Sequence, residues 1–258
     1  MGIVLDTVIA LLYGSSATSP ELRDYLCPRT QRQTMTKTFK ATLRLPSPNN
    51  TKVQVALAYK GIPYEIDSVT GGEPETIAKL VKISGQPLTP IIEHGDVVMF
   101  GSDSILRYLD ANFPGPRLFS ADRDEMKAIE GWESFHKNEL MGALRPAFEV
   151  FFGGMQGPEA DANIVRANAA FYEATAVVEK RLGEQKEAGS EWLVGDTMTA
   201  ADIFVACYSG FGDLPEGQED WNPLWKWFNS KLVLGDNREL TRGLIHRVLT
   251  LLPAPVGV

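Results

Sequence analysis

The sequence has few of the residues on which metal centres, disulfide frameworks and nucleic-acid surfaces depend. Among 258 residues there are 2 cysteines and 3 histidines, with no CxxC pair and no Cys/His spacing typical of a zinc site or a redox dithiol. Lys and Arg total 25 against 33 Asp and Glu, a net charge of −8, and they form no cluster that could follow a phosphate backbone. We therefore expect no metal, no nucleic-acid partner and a reducing, cytoplasmic compartment.

The start of the chain lacks the features of a membrane anchor or a signal peptide. The apolar stretch 3–13 is interrupted by Asp6 and is too short to span a bilayer. It has no Lys or Arg before Arg23, whereas a signal peptide begins with a basic region. We expect residues 1–36 to be an N-terminal extension in which residues 3–13 form a surface helix, and we expect no membrane association.

An α/β domain is predicted from Phe39 onward. Apolar and polar residues alternate over 39–45, as in a half-buried strand, and apolar residues at helical spacing then follow until Gly61. Another alternating segment, 64–69, completes a βαβ unit whose strands should be parallel. The whole domain is predicted to have the order βαβαββα. Its later elements are a helix over 75–83, an antiparallel hairpin of strands 90–93 and 97–100, and a helix at Ser102.

The remainder of the chain is predicted to be helical. The turn-forming segment 113–116 contains two prolines and a glycine, so we place the linker between domains there. Beyond it, apolar residues recur at helical spacing, most clearly over 164–182. These patterns predict a domain over 37–115 followed by an all-α helical bundle over 120–258.

Three segments resemble glutathione transferases. Two of them are similar to the glutathione-binding half of that family: Leu88-Thr89-Pro90 with the two isoleucines after it, and the segment 99–105. Thr199-Ala200-Ala201-Asp202 resembles the family's buried capping box, which serves folding and not catalysis. The resemblance covers about residues 38–232. It implies a thioredoxin-like domain followed by a helical domain, glutathione as co-substrate, and a homodimer.

The resemblance assigns Leu88, Thr89 and Pro90 to glutathione binding. In the family the bond corresponding to Thr89-Pro90 is cis, and the residue before the proline pairs its backbone with the cysteinyl unit of glutathione. A trans proline that opens an edge strand is the alternative.

The resemblance also assigns Ser102 and Asp103 to this site. The Ser102 hydroxyl and the free N–H groups of the first helical turn form a site for the γ-glutamyl carboxylate. A plain N-cap without a ligand is the alternative. The family usually has an acidic residue before this serine, where this chain has Gly101. Asp103 either supplies that missing contact or only stabilises the helix, because its negative charge lies near the positive N-terminal end.

Two residues are candidates for activating the thiol. Ser47 matches the catalytic Ser or Cys of serine- and cysteine-type transferases, and Asn49 resembles an asparagine that approaches the glutathione sulfur in the nu class. Either side chain, with the N-terminus of the helix that follows, could stabilise a thiolate by donating a hydrogen bond. The alternative is that both residues only cap and turn the chain.

The expected function is that of a glutathione transferase whose thiolate attacks a small hydrophobic electrophile. We expect this second substrate to contact residues such as Phe148, Phe151, Phe152 and Met155; the alternative is that these aromatic residues belong to the core. Two alternatives stay open: a non-catalytic binding or regulatory protein, which Gly101 and the extension favour, and a glutathione-dependent disulfide reductase.

The remaining chemistry-bearing residues are expected to be structural. His94 lies in a turn, His136 on an apolar helix face and His246 near the end of the chain. Cys207 lies in an apolar run, so it should be a buried small hydrophobe, and Cys27 lies in the extension.

Overall fold

The computed structural model describes residues 38–218 and 221–253. The expected extension, its helix over 3–13 and Cys27 lie outside the described residues. The strands are β1 (Phe39–Leu43), β2 (Glu65–Ser68), β3 (Ile91–His94) and β4 (Val97–Phe100). The helices are α1 (Pro48–Tyr59), α2 (Pro74–Ser84), α3 (Ser102–Asn112), α4 (Arg123–Phe135), α5 (Met141–Gly153), α6 (Pro158–Glu187), α7 (Ala200–Ser209), α8 (Pro223–Lys231) and α9 (Glu239–Leu249), with a π-helical turn, His136–Leu140, between α4 and α5.

The sheet confirms the predicted topology of the first half. Its strand order is β2-β1-β3-β4. Strand β1 pairs with β2 in parallel, across the α1 crossover, and with β3 in antiparallel, while β3 and β4 form the predicted antiparallel hairpin. The fold is therefore a thioredoxin-like βαβαββα domain followed by a helical domain.

One apolar core joins the two halves. It extends from Leu43 of β1 and Leu57 of α1 to Phe204 of α7 and Leu244 of α9, all of which are buried. Helix α1 contacts both α3 and α7, so side chains near the start of α1 lie where the sheet domain meets the helical domain. The exact boundary between residues 115 and 120 stays a prediction. None of the helices in residues 38–218 and 221–253 is long and apolar enough to cross a bilayer.

Thr199 and Asp202 form a capping box at the start of α7. The Asp202 carboxylate is fully buried and accepts from the backbone N–H of Leu193 at 2.8 Å, the N–H of Thr199 at 2.7 Å and the Thr199 hydroxyl at 3.1 Å. Burial raises the pKa of Asp202 to about 6, although these donors act in the opposite direction. Every residue of α7 is buried, so this one carboxylate connects the N-terminus of a central helix to the loop before it.

Asp202→Ala should therefore destabilise the protein strongly. The change leaves two buried N–H groups without their acceptor, and we expect the free energy of unfolding in urea to fall by about 3 kcal/mol or more. The matched control is Asp122→Ala, because Asp122 caps α4 at the exposed surface by accepting from Asp124 and Glu125. That change should cost about 1 kcal/mol. Equal losses for the two variants would contradict a special role of the buried box.

Candidate functional site

A cleft of about 490 Å³ opens where the thioredoxin-like domain meets the helical domain. The first domain contributes the start of α1, the loop before β3 and the turn between β4 and α3; the second contributes the π-helical turn, α5 and α7. The lining residues are Asn49, Lys52, Gln86, Pro87, Leu88, Thr89, Pro90, Phe100, Gly101, Ser102, Asp103, His136, Lys137, Met141 and Tyr208.

The cleft brings together segments that the sequence analysis assigned separately. Leu88, Thr89 and Pro90 line it beside Ser102 and Asp103. The Thr89-Pro90 bond is cis, as the resemblance implies. A second cis bond, Leu45-Pro46, was not foreseen. The roles of these five residues in ligand binding remain predictions, but their common location in the cleft is a property of the fold.

Asn49 lies on the cleft wall with its side-chain amide held in one orientation. Its Oδ1 accepts from the Tyr208 hydroxyl at 3.3 Å and from the Ser102 hydroxyl at 3.4 Å. Its Nδ2 has no hydrogen-bond partner among the described residues, so it is a free donor beside the first turn of α1. Tyr208 was missed by sequence reasoning, because it lies within the uniformly apolar run of α7.

Ser47 is not among the residues that line the cleft. It is the N-cap of α1, where its carbonyl oxygen accepts from the N–H of Thr51 at 2.8 Å and its hydroxyl makes no capping hydrogen bond. Its catalytic role stays a prediction. Of the two candidate thiol activators, the structure brings Asn49 into the cleft and leaves Ser47 outside it.

Asn50 connects α1 to the loop that carries the cis-proline. Its side chain is buried, and its Nδ2 donates to the carbonyl of Arg44 at 2.9 Å and to the Thr89 hydroxyl at 3.1 Å. The Thr89 hydroxyl is 39 positions away along the chain, so no local pattern could have identified this contact.

Ser102 is the first residue of α3, and the N-cap is Gly101. The alternative in which Ser102 is only the N-cap therefore does not hold, because Gly101 takes that position one residue earlier. Gly101 has φ of 83°, a conformation that glycine adopts without the steric cost of a Cβ. The Ser102 hydroxyl is 3.4 Å from both Asn49 Oδ1 and Asp103 Oδ1, so it faces the start of α1 across the cleft.

Asp103 binds two lysines, which sequence reasoning did not foresee. Its Oδ1 lies 3.1 Å from Lys52 Nζ and its Oδ2 lies 2.7 Å from Lys137 Nζ. Burial would raise the pKa of Asp103, but the two ammonium groups outweigh it and lower the pKa to about 2. One signal could have suggested the Lys52–Asp103 ion pair. Lys52 stands in a helix whose neighbouring positions are predicted to be buried, so its charge needs a partner.

His136 faces Lys52. The prediction that it lies on an apolar helix face was therefore only partly right. Its ring stacks on Phe204 at 4.8 Å between centroids, while its Nε2 lies 3.2 Å from Lys52 Nζ. Burial and the Lys52 ammonium lower the pKa of His136 to about 3. The ring is therefore neutral, with Nε2 accepting and the proton on Nδ1. Nδ1 is buried without a hydrogen-bond partner in the part of the chain described.

The expected lining by aromatic residues is wrong for this cleft. Phe148, Phe151 and Phe152 pack on each other and against Trp227 and Phe228, at centroid distances between 4.8 and 6.1 Å, and none of them lines it. Met155 does not line it either. The helical domain instead presents His136, Lys137, Met141 and Tyr208.

The other singled-out residues lie away from the cleft or in the core. The His94 ring is 2.9 Å from the Tyr108 hydroxyl. Cys207 is buried, and burial raises the pKa of its thiol to about 12, so it is not a nucleophile. Within residues 38–218 and 221–253, no group of three or more His, Cys, Asp or Glu side chains is placed to hold a metal ion.

Comparison with known proteins agrees with this geometry. Residues 45–117 match the glutathione S-transferase N-terminal domain family. This segment is therefore a domain of the glutathione S-transferase N-terminal type. The maleylpyruvate isomerase of a Ralstonia species is 27% identical over 168 residues, 60% of this chain and 73% of that protein. A glutathione S-transferase of Silene vulgaris is 29% identical over 161 residues, 59% of this chain and 71% of that protein.

Solved structures show the same fold across both halves. A bacterial zeta-class maleylpyruvate isomerase superposes with a TM-score of 0.62 at 19% identity, covering 80% of this chain and 90% of that one. Human glutathione transferase theta-2 superposes with a TM-score of 0.58 at 21% identity, covering 84% and 93%. The assignment to a serine-type or nu-class group stays a prediction.

The His136–Lys52 contact predicts a histidine that does not titrate near neutral pH. In ¹⁵N spectra of the histidine rings, His136 should keep the neutral Nδ1–H pattern from pH 8 to pH 5. Lys52→Met should raise the pKa of His136, because it removes an adjacent positive charge. Lys60→Met is the control, because it alters another buried lysine, which is paired with Asp110. This change should leave the His136 signal unchanged. A protonated His136 at pH 6 in the unaltered protein would contradict the assignment.

Proposed function

We propose that this protein binds glutathione in the cleft and uses its thiolate as the nucleophile of a transfer reaction. The observation that carries the proposal is Asn49, whose Nδ2 is a fixed and free donor in a cleft that also contains Thr89, Pro90 and Ser102. These residues come from distant parts of the chain, and the fold makes them one surface.

Asn49 is proposed as the chief donor to the sulfur. A free thiol has a pKa near 8.5, so only a few per cent is thiolate at pH 7. The Asn49 amide and the positive end of α1 both favour the anion. Tyr208 holds the amide oxygen, so the nitrogen needs no reorganisation when the charge develops.

The rest of the tripeptide is proposed to follow the residues that line the cleft. The backbone at Leu88 and Thr89 pairs with the cysteinyl unit. A carboxylate of glutathione lies at the N-terminus of α3, where Ser102 and the first-turn N–H groups act as donors. Lys52 and Lys137 add positive charge on the same side.

In the proposed reaction the thiolate attacks an electrophilic carbon of the second substrate. A C–S bond forms, and the electron pair of the broken bond leaves with the departing group. The predicted aromatic lining lies elsewhere, and the apolar surface for a hydrophobic electrophile is instead supplied by Leu88, Phe100 and Met141, which line the cleft and are exposed. Glutathione-dependent isomerisation is a second candidate, since a curated relative and a solved neighbour are both maleylpyruvate isomerases and two lysines face the cleft.

Retention on immobilised glutathione followed by turnover assays tests the proposal. We expect retention, together with conjugation of a generic aryl halide or isomerisation of an unsaturated diketo acid. Retention without turnover of either substrate would leave a binding or regulatory role. Turnover of a disulfide alone would favour the reductase alternative. Failure to bind glutathione at all would overturn the proposal.

Asn49→Ala should raise the pH at which the enzyme becomes active. A hydrogen bond to a charged group is worth about 1.5–3 kcal/mol, so its loss should lower the thiolate population about ten- to a hundredfold near neutral pH. The pH–rate profile should move upward by about one to two pH units, with little change in glutathione affinity.

Ser47→Ala is the matched control at the same strand-to-helix turn. Because Ser47 does not line the cleft, we expect this variant to keep its rate and its pH profile. The reverse result, a displaced profile in Ser47→Ala and an unchanged one in Asn49→Ala, would restore the serine as activator.

A further inference from the structure

The loop that carries Thr89 and Pro90 is held in shape by side chains of the protein itself. Helix α2 ends at Ser84, and Gly85 caps it in the left-handed conformation, with φ of 78°. Residues 86–90 then lead directly to strand β3. This short segment includes the backbone that the proposed function places against glutathione, so its shape decides where the backbone donors and acceptors point.

The side-chain amide of Gln86 pairs with both backbone groups of Leu88. Its Oε1 accepts from the Leu88 N–H at 2.7 Å, and its Nε2 donates to the Leu88 carbonyl oxygen at 2.8 Å. Two residues of antiparallel strands exchange hydrogen bonds in the same way. Nε2 has two hydrogens, and it also donates to the Ser84 hydroxyl oxygen at 2.9 Å. Gln86 therefore ties Leu88 back to the last turn of α2.

The other side of the loop is tied to α1 by Asn50. This side chain is buried, and its Nδ2 donates to the Thr89 hydroxyl at 3.1 Å and to the Arg44 carbonyl oxygen at 2.9 Å. Pro90, the next residue, is buried as well. Leu88 and Thr89 thus lie between two amide side chains that hold them from opposite ends of the loop.

The Gln86 contacts do little for the packing of the core. The Leu88 side chain is 71% exposed, and Gln86 itself lies at the cleft wall. Fixing the backbone of an exposed residue costs conformational entropy. It favours ligand binding, however, because a loop that is already ordered does not have to be ordered by the ligand.

We propose that Gln86 is a positioning residue for glutathione, whose amide preforms the backbone edge at Leu88 and Thr89 along which the cysteinyl unit binds. The inference rests on the proposed glutathione site and adds a residue without an assigned role. It also specifies the contacts of the ligand. The Leu88 N–H is donated to Gln86, so the Thr89 N–H serves the peptide, while the Leu88 carbonyl oxygen has a second lone pair with which to accept.

Hydrogen exchange of the Leu88 backbone amide, followed by NMR, tests the Gln86 contact without glutathione. Gln86→Met keeps the length of the side chain and removes both polar atoms of the amide. The Leu88 amide should exchange about tenfold or more faster in this variant than in the unaltered protein, because its acceptor is gone. Equal exchange rates of the Leu88 amide in the two proteins would overturn the inference.

Calorimetric titration of the full chain with glutathione tests the consequence for binding. Gln86→Met should raise the dissociation constant about threefold or more, because the peptide must then order the loop. The pH–rate profile should not move, since Asn49 and the start of α1 are unchanged. Gln156→Met is the matched control. Gln156 is an exposed glutamine in the loop between α5 and α6 that does not line the cleft, and this variant should keep the affinity.

The outcomes separate this inference from the proposed function. If the unaltered protein does not bind glutathione, the proposed function fails and the role of Gln86 in binding fails with it. If glutathione binds and Gln86→Met binds it equally well, the proposed function stands and the inference is overturned. A raised dissociation constant together with an upward shift of the pH–rate profile would also overturn it, because Gln86 would then act on the thiol and not on the loop.

Discussion

A lysine ammonium buried between two domains needs partners from both, and this requirement organises the site. Lys52 extends from α1 to Asp103 at the start of α3 and to His136 in the π-helical turn of the helical domain. The rings of Phe204 and Tyr208 on α7 lie 5.2 and 5.6 Å from the same nitrogen. Since an unpaired buried charge is strongly destabilising, these elements are held in one arrangement, and that arrangement forms the cleft.

The same arrangement explains why the cleft wall is chemically asymmetric. Burial and the adjacent ammonium keep His136 neutral, and the two lysines keep Asp103 ionised. Asn49 then presents its nitrogen, because hydroxyl groups from both domains hold its oxygen. The cleft therefore offers donors and positive charge, which suits a peptide with carboxylates and a thiolate.

Local patterns predicted the fold because each of them reports on a single element. Each pattern can be interpreted within a few residues: the alternation over 39–45 and 64–69, the turn residues between the hairpin strands, and the Thr-x-x-Asp sequence at 199–202. Errors in the placement of helices and strands were confined to boundaries, as at Ser102, where glycine at positive φ takes the capping position. Contacts such as Lys52–His136, 84 positions apart, have no local signature at all.

By itself, the sequence determined the βαβαββα order and the helical second half, since periodicity and turn chemistry act over short distances, and its resemblance to a known family pointed to six of the fifteen residues that line the cleft. The tertiary structure decided which of them share a surface. It brought Asn49 to the cleft and left Ser47 at the helix cap, moved the aromatic residues near 148–152 into their own cluster, and paired Asp103 with two lysines. Those outcomes depend on how the helical domain packs against α1, which is a property of the buried interface and not of any one segment.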